Sequence, residues 1–147
     1  MATTTSLSNN FRKGLLAGNF ALPTDTLNMA LYNVETHNQN TGAYTTTNEV
    51  PTAGGYTAKG VAMTGYDPTT DTTQHVAHLD WSTDPSWATS TITATGCMLF
   101  DDTTVTTPAT DCSIYHGDFG GSKSSSAGTF TVVLPAKGYN TSLVRLA

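Results

Sequence analysis

The chain has 147 residues, enough for one domain to bury a core without a metal or a disulfide. Its 6 basic and 11 acidic residues give a formal charge of -5, and scattered basic side chains make nucleic acid an unlikely ligand. No apolar run approaches the roughly 18 residues of a membrane span, and none before Arg12 is typical of a signal peptide, so we expect synthesis in a cytoplasm and no membrane partner.

Threonine makes up about a fifth of the chain, and its β-branched side chain suits strands better than helices. Leu, Ile, Val and Phe together make up roughly 18%, but the net charge is too low for a disordered protein. The composition therefore predicts a threonine-rich β domain with a sparse core.

The N-terminal segment "MATTTSLSNN" is polar and has no apolar period, so residues 1–10 are predicted to form a flexible arm. The following "NNFRKGLLAG" predicts a short helix, which Asn9 or Asn10 would cap and Gly18 would end in a left-handed turn.

From Leu27 onward the apolar period changes to two, which is typical of strands with one buried face. Residues 35–55 interrupt this pattern as a long polar loop. The predicted strands are 27–32, 56–63, 75–81, 90–102, 114–119, 129–134 and 143–146. Gly, Pro and Asp turns separate them, so residues 11–147 are predicted to form a single all-β domain, an antiparallel β-sandwich or jelly-roll-like fold.

The glycine and serine run at 118–128 can be compared with the sequence of a phosphate-binding loop. A Walker loop needs Gly-Lys-Ser/Thr before a helix, whereas Ser122 separates Gly121 from Lys123, and "GTFTVVLP" alternates like a strand. The run is therefore predicted to be a hairpin loop.

No catalytic, metal or cofactor site is predicted. The histidines, of which His75 and His78 point to opposite faces of a strand, are interpreted as partly exposed strand residues. Acidic residues in two groups are interpreted as turn formers rather than calcium ligands, because both groups lack the glycine and terminal glutamate of a calcium loop. The histidines are His37, His75, His78 and His116, and the acidic residues are Asp67 and Asp71 in one group and Asp101 and Asp102 in the other.

No serine lies in a Gly-x-Ser-x-Gly frame, so the chain is not predicted to be an enzyme. Cys97 and Cys112 could form a bridge, but free thiols are predicted because no secretion signal is present. Trp81 and Trp87 flank a proline turn and belong either to the core or to a binding surface.

Three blocks in order, "TNEVPTAGGYTAKGVAMTG" (47–65), "WATSTITATGCMLFDDT" (87–103) and "DFGGSKSSSAGTFTVVLPAKG" (118–138), together with "LLAG" and "TLNMALYN", resemble a family of small virion proteins of tailed bacteriophages. Members are similar to head decoration (cement) proteins or minor tail-associated proteins. The two cysteines and the segment "TTVTTPATDC" depart from the family pattern.

The resemblance implies a protein on the outer surface of the phage head that stabilises the head by bridging major capsid subunits. Its expected partners are the major capsid protein and copies of itself, as a homotrimer. For the contacts we predict the basic and aromatic segment Phe11, Arg12 and Lys13, and the C-terminal residues Leu143, Val144 and Leu146, which could extend a neighbour's sheet.

Two alternatives remain open. The first is a tail-associated adaptor or fibre-attachment protein. The second is a carbohydrate-binding β-sandwich in which Tyr66, Trp81 and Trp87 form a surface for stacking sugars.

Overall fold

The computed structural model describes residues 6–103 and 108–146. In these residues the chain forms one helix, α1 (Asn9–Ala17), and ten strands. The strands are β1 (Ser6–Leu7), β2 (Leu27–Tyr32), β3 (Val61–Ala62), β4 (Tyr66–Asp71), β5 (Val76–Trp81), β6 (Ser86–Ser90), β7 (Thr93–Asp101), β8 (Ser113–Ser124), β9 (Gly128–Thr131) and β10 (Val144–Leu146). All strand pairs are antiparallel, which confirms an all-β fold with a short N-terminal helix.

The strands form three sheets with the orders β1-β8-β7-β2-β3, β10-β5-β4 and β6-β9. One core connects them, because Met29 of the first sheet, Leu79 of the second and Phe130 of the third belong to the same buried cluster as Phe11 of α1. The residues therefore pack as one unit, while a sandwich or jelly-roll arrangement of the sheets stays a prediction.

The N-terminal residues are more ordered than the sequence predicts. Residues 6–10, assigned to a flexible arm, form β1 and the first turn of α1, and the remaining part, residues 1–5, lies outside the described residues. Ser8 caps the helix instead of Asn9 or Asn10, because its Oγ accepts the backbone N–H of Asn10 at 3.2 Å. Gly18 ends α1 with φ +69°, as predicted.

Strand β2 is buried on both faces, so the prediction of one buried face is wrong. Met29 and Leu31 belong to the main core, whereas Tyr32 packs with Met98 and Phe100 in a second cluster. The long loop covers this second face, since the ring of Tyr44 stacks on Phe100 with centroids 4.6 Å apart.

A buried carboxylate organises the long loop. Glu49 accepts hydrogen bonds from the hydroxyls of Tyr44 at 2.5 Å and Tyr56 at 2.8 Å, and from the backbone N–H of Lys59 at 2.7 Å. These bonds hold the chain before β3 in loop geometry, so the strand predicted at 56–63 is reduced to Val61–Ala62.

The glycine and serine run is not a hairpin. Strand β8 continues to Ser124, which pairs with Thr93 of β7, whereas Phe130 of β9 pairs with Trp87 of β6. The chain passes between these sheets at residues 125–127, where the hydroxyl of Ser125 donates to the carbonyl of Ser90 at 2.9 Å. Residues 118–124 of the run therefore belong to β8, and only residues 125–127 form the crossing between the two sheets.

Candidate interaction surface

Helix α1 and strand β10 lie on the same side of the fold. Strand β10 pairs with β5, with Val144 opposite Leu79 and Leu146 opposite Ala77, and it lies near α1. Together the helix and the sheet line a cavity of about 320 Å³, which we call the apolar groove. Its lining includes Phe11, Leu15, Leu22, Leu79, Val144 and Leu146.

Exposed apolar side chains lie on the two elements that border this groove. Leu16 of α1 is 93% exposed, and Leu146 of β10 is 53% exposed. Arg12 and Lys13 are also exposed on the helix. All four side chains are exposed, and the contact of Arg12, Lys13 and Leu146 with a partner stays a prediction.

Three of the predicted contact residues belong instead to the protein's own core. Phe11 is completely buried and packs against Phe20 with ring centroids 5.1 Å apart. Leu143 and Val144 are buried in the same core. Their side chains stabilise the subunit, so the prediction that these side chains contact a partner is wrong, whereas extension of a neighbour's sheet by the main chain of β10 stays a prediction.

Positive charge collects on α1 and β10 although the chain is acidic. Lys59 pairs with Asp102 and Asp111, and Lys137 pairs with Asp67. By contrast, the side chains of Arg12, Lys13 and Arg145 have no carboxylate partner in the described part of the chain. The elements around the groove therefore favour an acidic partner.

Strand β10 is also an edge that can accept another strand. It pairs with β5 on one side, and no described strand pairs with its other side. At the opposite edge of this sheet, β4 contains Pro68, which has no N–H to donate and is typical of edges protected against pairing. Of the two edges, β10 is the one open to strand addition.

A second cavity, which we call the polar crevice, lies beside β1, α1 and the segment before β10. Its volume is about 550 Å³, and its polar lining includes Ser6, Arg12, Gln39, Thr141 and Ser142. The hydroxyls of Ser6 and Ser142 have no hydrogen-bond partner among the described residues. Lys13 does not line this crevice, although it follows Arg12 in the sequence.

Three histidines are buried, so their interpretation as partly exposed residues is wrong. His37 Nδ1 lies 2.7 Å from Glu35 Oε1, and His78 Nδ1 lies 2.8 Å from Asp80 Oδ2. His75, in contrast, is exposed at a turn. No group of three or more His, Cys, Asp or Glu side chains in residues 6–103 and 108–146 is arranged to hold a metal ion.

His116 is fully buried on β8, and neither of its ring nitrogens has a hydrogen-bond partner among the described residues. Its ring stacks with that of His37, with centroids 5.8 Å apart. Burial, reinforced by the neighbouring His37, lowers the pKa of His116 to about 4. The ring is therefore held neutral in the folded protein near neutral pH.

The proposed sugar-stacking surface is not formed. Trp81 and Trp87 are only 5% and 4% exposed, and Tyr66 is half-buried with its ring packed edge-on against Trp81 at 6.3 Å. Trp87 packs edge-on against Phe130 at 6.1 Å. Both tryptophans are core residues, so the prediction that they offer a face to a ligand is wrong.

Of the four aspartates interpreted as turn formers, Asp71 and Asp101 make turn bonds, whereas Asp67 and Asp102 pair with Lys137 and Lys59, far away in the sequence. Asp71 accepts the N–H groups of Thr73 and Gln74, and Asp101 accepts that of Thr103, the bonding expected of turn-forming aspartates. The two cysteines are free and buried, and burial raises their thiol pKa values, to about 12 for Cys97 and about 11 for Cys112.

Comparisons with protein-family models, curated proteins and solved structures found no match for this chain. In the part of the chain that the structure describes, no helix has the length and apolar character needed to cross a membrane.

Proposed function

We propose that the protein is a bacteriophage virion structural protein, a head decoration (cement) protein that bridges major capsid subunits from the outer surface of the head. The sequence resemblance to small phage virion proteins supports this function. The observation that carries the proposal is the surface made by α1 and β10, where exposed apolar side chains, basic side chains and an open strand edge occur together.

Each of these features suits attachment to a protein shell. Leu16 and Leu146 can bury apolar area on the partner, at about 25 cal/mol per Å² removed from water. Arg12, Lys13 and Arg145 attract acidic groups and favour the correct orientation during docking. The free edge of β10 offers main-chain hydrogen bonds to an extended segment of the capsid subunit.

A cement protein works through many copies of a weak contact, so it needs no deep active-site pocket. In our proposal the copies form trimers at local three-fold positions, where each subunit contacts capsid subunits and its own neighbours. A rigid body connected by one core transmits force between these contacts.

The test measures binding of the purified protein to phage heads that lack it. Leu16→Asp and Leu146→Asp should reduce binding strongly without changing the urea midpoint of the free protein, because both side chains are exposed. Val133→Asp is the matched control, since Val133 is 78% exposed and lines neither the apolar groove nor the polar crevice. Equal binding by all three variants would contradict the proposal.

The structure bears differently on the two alternative functions, carbohydrate binding and attachment to the tail. The carbohydrate-binding function loses the side chains on which it depended, because Trp81 and Trp87 are buried. A tail-associated protein could use the same surface, but it would be present in far fewer copies per virion.

A further inference from the structure

Among the described residues, the lining of the polar crevice contains a cationic side chain but no carboxylate to balance its charge. Arg12 is its one charged lining residue, and no Asp or Glu lines it. The guanidinium offers five N–H donors, and no carboxylate in the described residues pairs with it. In a protein of net charge -5, a cavity of this composition favours an anion over a cation.

Two hydroxyls in the lining point to the same chemistry. Ser6 Oγ and Ser142 Oγ are screened from solvent and have no partner among the described residues. A buried hydroxyl without a partner is costly, and rotation about its Cβ–Oγ bond redirects its hydrogen with little other change. An acceptor in the crevice would therefore find donors that the fold itself leaves unused.

We propose that the polar crevice binds the carboxylate of an acidic side chain in an extended peptide segment, with Arg12 as the charged anchor and Ser142 as an additional donor. A single guanidinium matches the single charge of a carboxylate and can bond both of its oxygens. Leu7 and Pro135 line the same cavity and suit the methylene groups of a glutamate. This inference rests on the crevice and not on the proposed virion function.

The experiment titrates the full chain, labelled with ¹⁵N, with N-acetyl-glutamate methylamide and separately with its uncharged analogue, N-acetyl-glutamine methylamide. The glutamate compound should shift the Nε–H resonance of Arg12 and the amide resonance of Ser142, and the shifts should decrease at high salt. The glutamine compound should shift neither, because it lacks the charge.

Arg12→Gln should abolish the shift of the Ser142 amide resonance, while the matched control Lys13→Gln should keep that shift, since Lys13 does not line the crevice. Both side chains are exposed, and the ¹⁵N spectrum verifies that each variant is folded. Equal shifts with both compounds, no shift at all, or a response retained by Arg12→Gln would overturn the proposal. Because heads are absent from this experiment, its failure would be separate from failure of the virion function.

Discussion

Replacing His116 by leucine should flatten the pH dependence of the protein's stability. His116 lies opposite Ser6 in the pairing of β1 with β8 and is fully buried. Burial and the adjacent His37 lower its pKa from 6.5 to about 4. The folded state therefore holds the ring neutral at a pH where the unfolded chain protonates it.

The sign and size of the effect follow from this difference. Between pH 6.5 and about 4 the unfolded state binds more protons, so the free energy of unfolding falls as the pH falls. At about 1.4 kcal/mol per pKa unit, the shift amounts to a loss of about 3 kcal/mol by pH 4. The destabilisation is absent above about pH 7, where His116 is neutral in both states.

Leucine removes both the titration and the two ring nitrogens that lack partners. Replacing a polar group that has no hydrogen bond by an apolar one of similar size is often neutral or stabilising, so His116→Leu should fold at pH 7. His75→Asn is the control, because His75 is exposed and asparagine tolerates its positive φ of 56°.

Urea unfolding of the three proteins at several pH values between about 4 and 7 measures the effect. The unfolding free energy of His116→Leu relative to wild type should rise by about 3 kcal/mol as the pH falls across this range, while His75→Asn should parallel wild type. Parallel curves for wild type and His116→Leu would refute the reasoning.

Three further substitutions or treatments test other parts of the fold. Glu49→Gln should lower the free energy of unfolding by about 3 kcal/mol in urea, since three donors face the carboxylate, and a loss under about 1 kcal/mol would contradict its role. Gly60→Ala and Gly120→Ala both add a Cβ to a residue whose φ is near +70°. At residue 60 this Cβ would lie 1.8 Å from the carbonyl oxygen of Met29 in β2, whereas at residue 120 it would meet no atom within 4 Å. Thermal or urea unfolding should therefore show Gly60→Ala about 2 kcal/mol less stable than Gly120→Ala, and equal stability would rule out the clash. A thiol reagent at mildly alkaline pH should label Cys97 and Cys112 only in urea, and rapid labelling of the native protein would show that they are accessible.

Sequence patterns predicted the strands and the helix end that are determined by neighbouring residues. The period of two identified β2, β5, β7 and β8, and Gly18 marked the end of α1. Strands β1 and β3 have two residues each, too few to show a period, and Pro68 concealed β4 because proline is uncommon in strands. Pairing is not local, so the partner of β9 could not be inferred from its neighbour in sequence.

The difference between local and long-range signals also explains which surface residues could be predicted. Charge and position identified Arg12 and Lys13, because basic residues on a short helix are rarely buried. The burial of Phe11 and Trp87 depends on elements far away in the chain, so each could equally have been a surface anchor. The ring of His116 is buried without a hydrogen-bond partner among the described residues because β1 pairs beside it and His37 stacks on it. No sequence pattern around residue 116 indicates either contact.

The most direct test of the proposed function is the number of copies of this chain in purified virions, measured by quantitative mass spectrometry against the major capsid protein. A decoration protein that occupies symmetric positions over the whole head should be present in amounts roughly comparable to the capsid protein. Only a few copies per particle would favour a tail component, and absence of the chain from mature virions would contradict a structural role in the head.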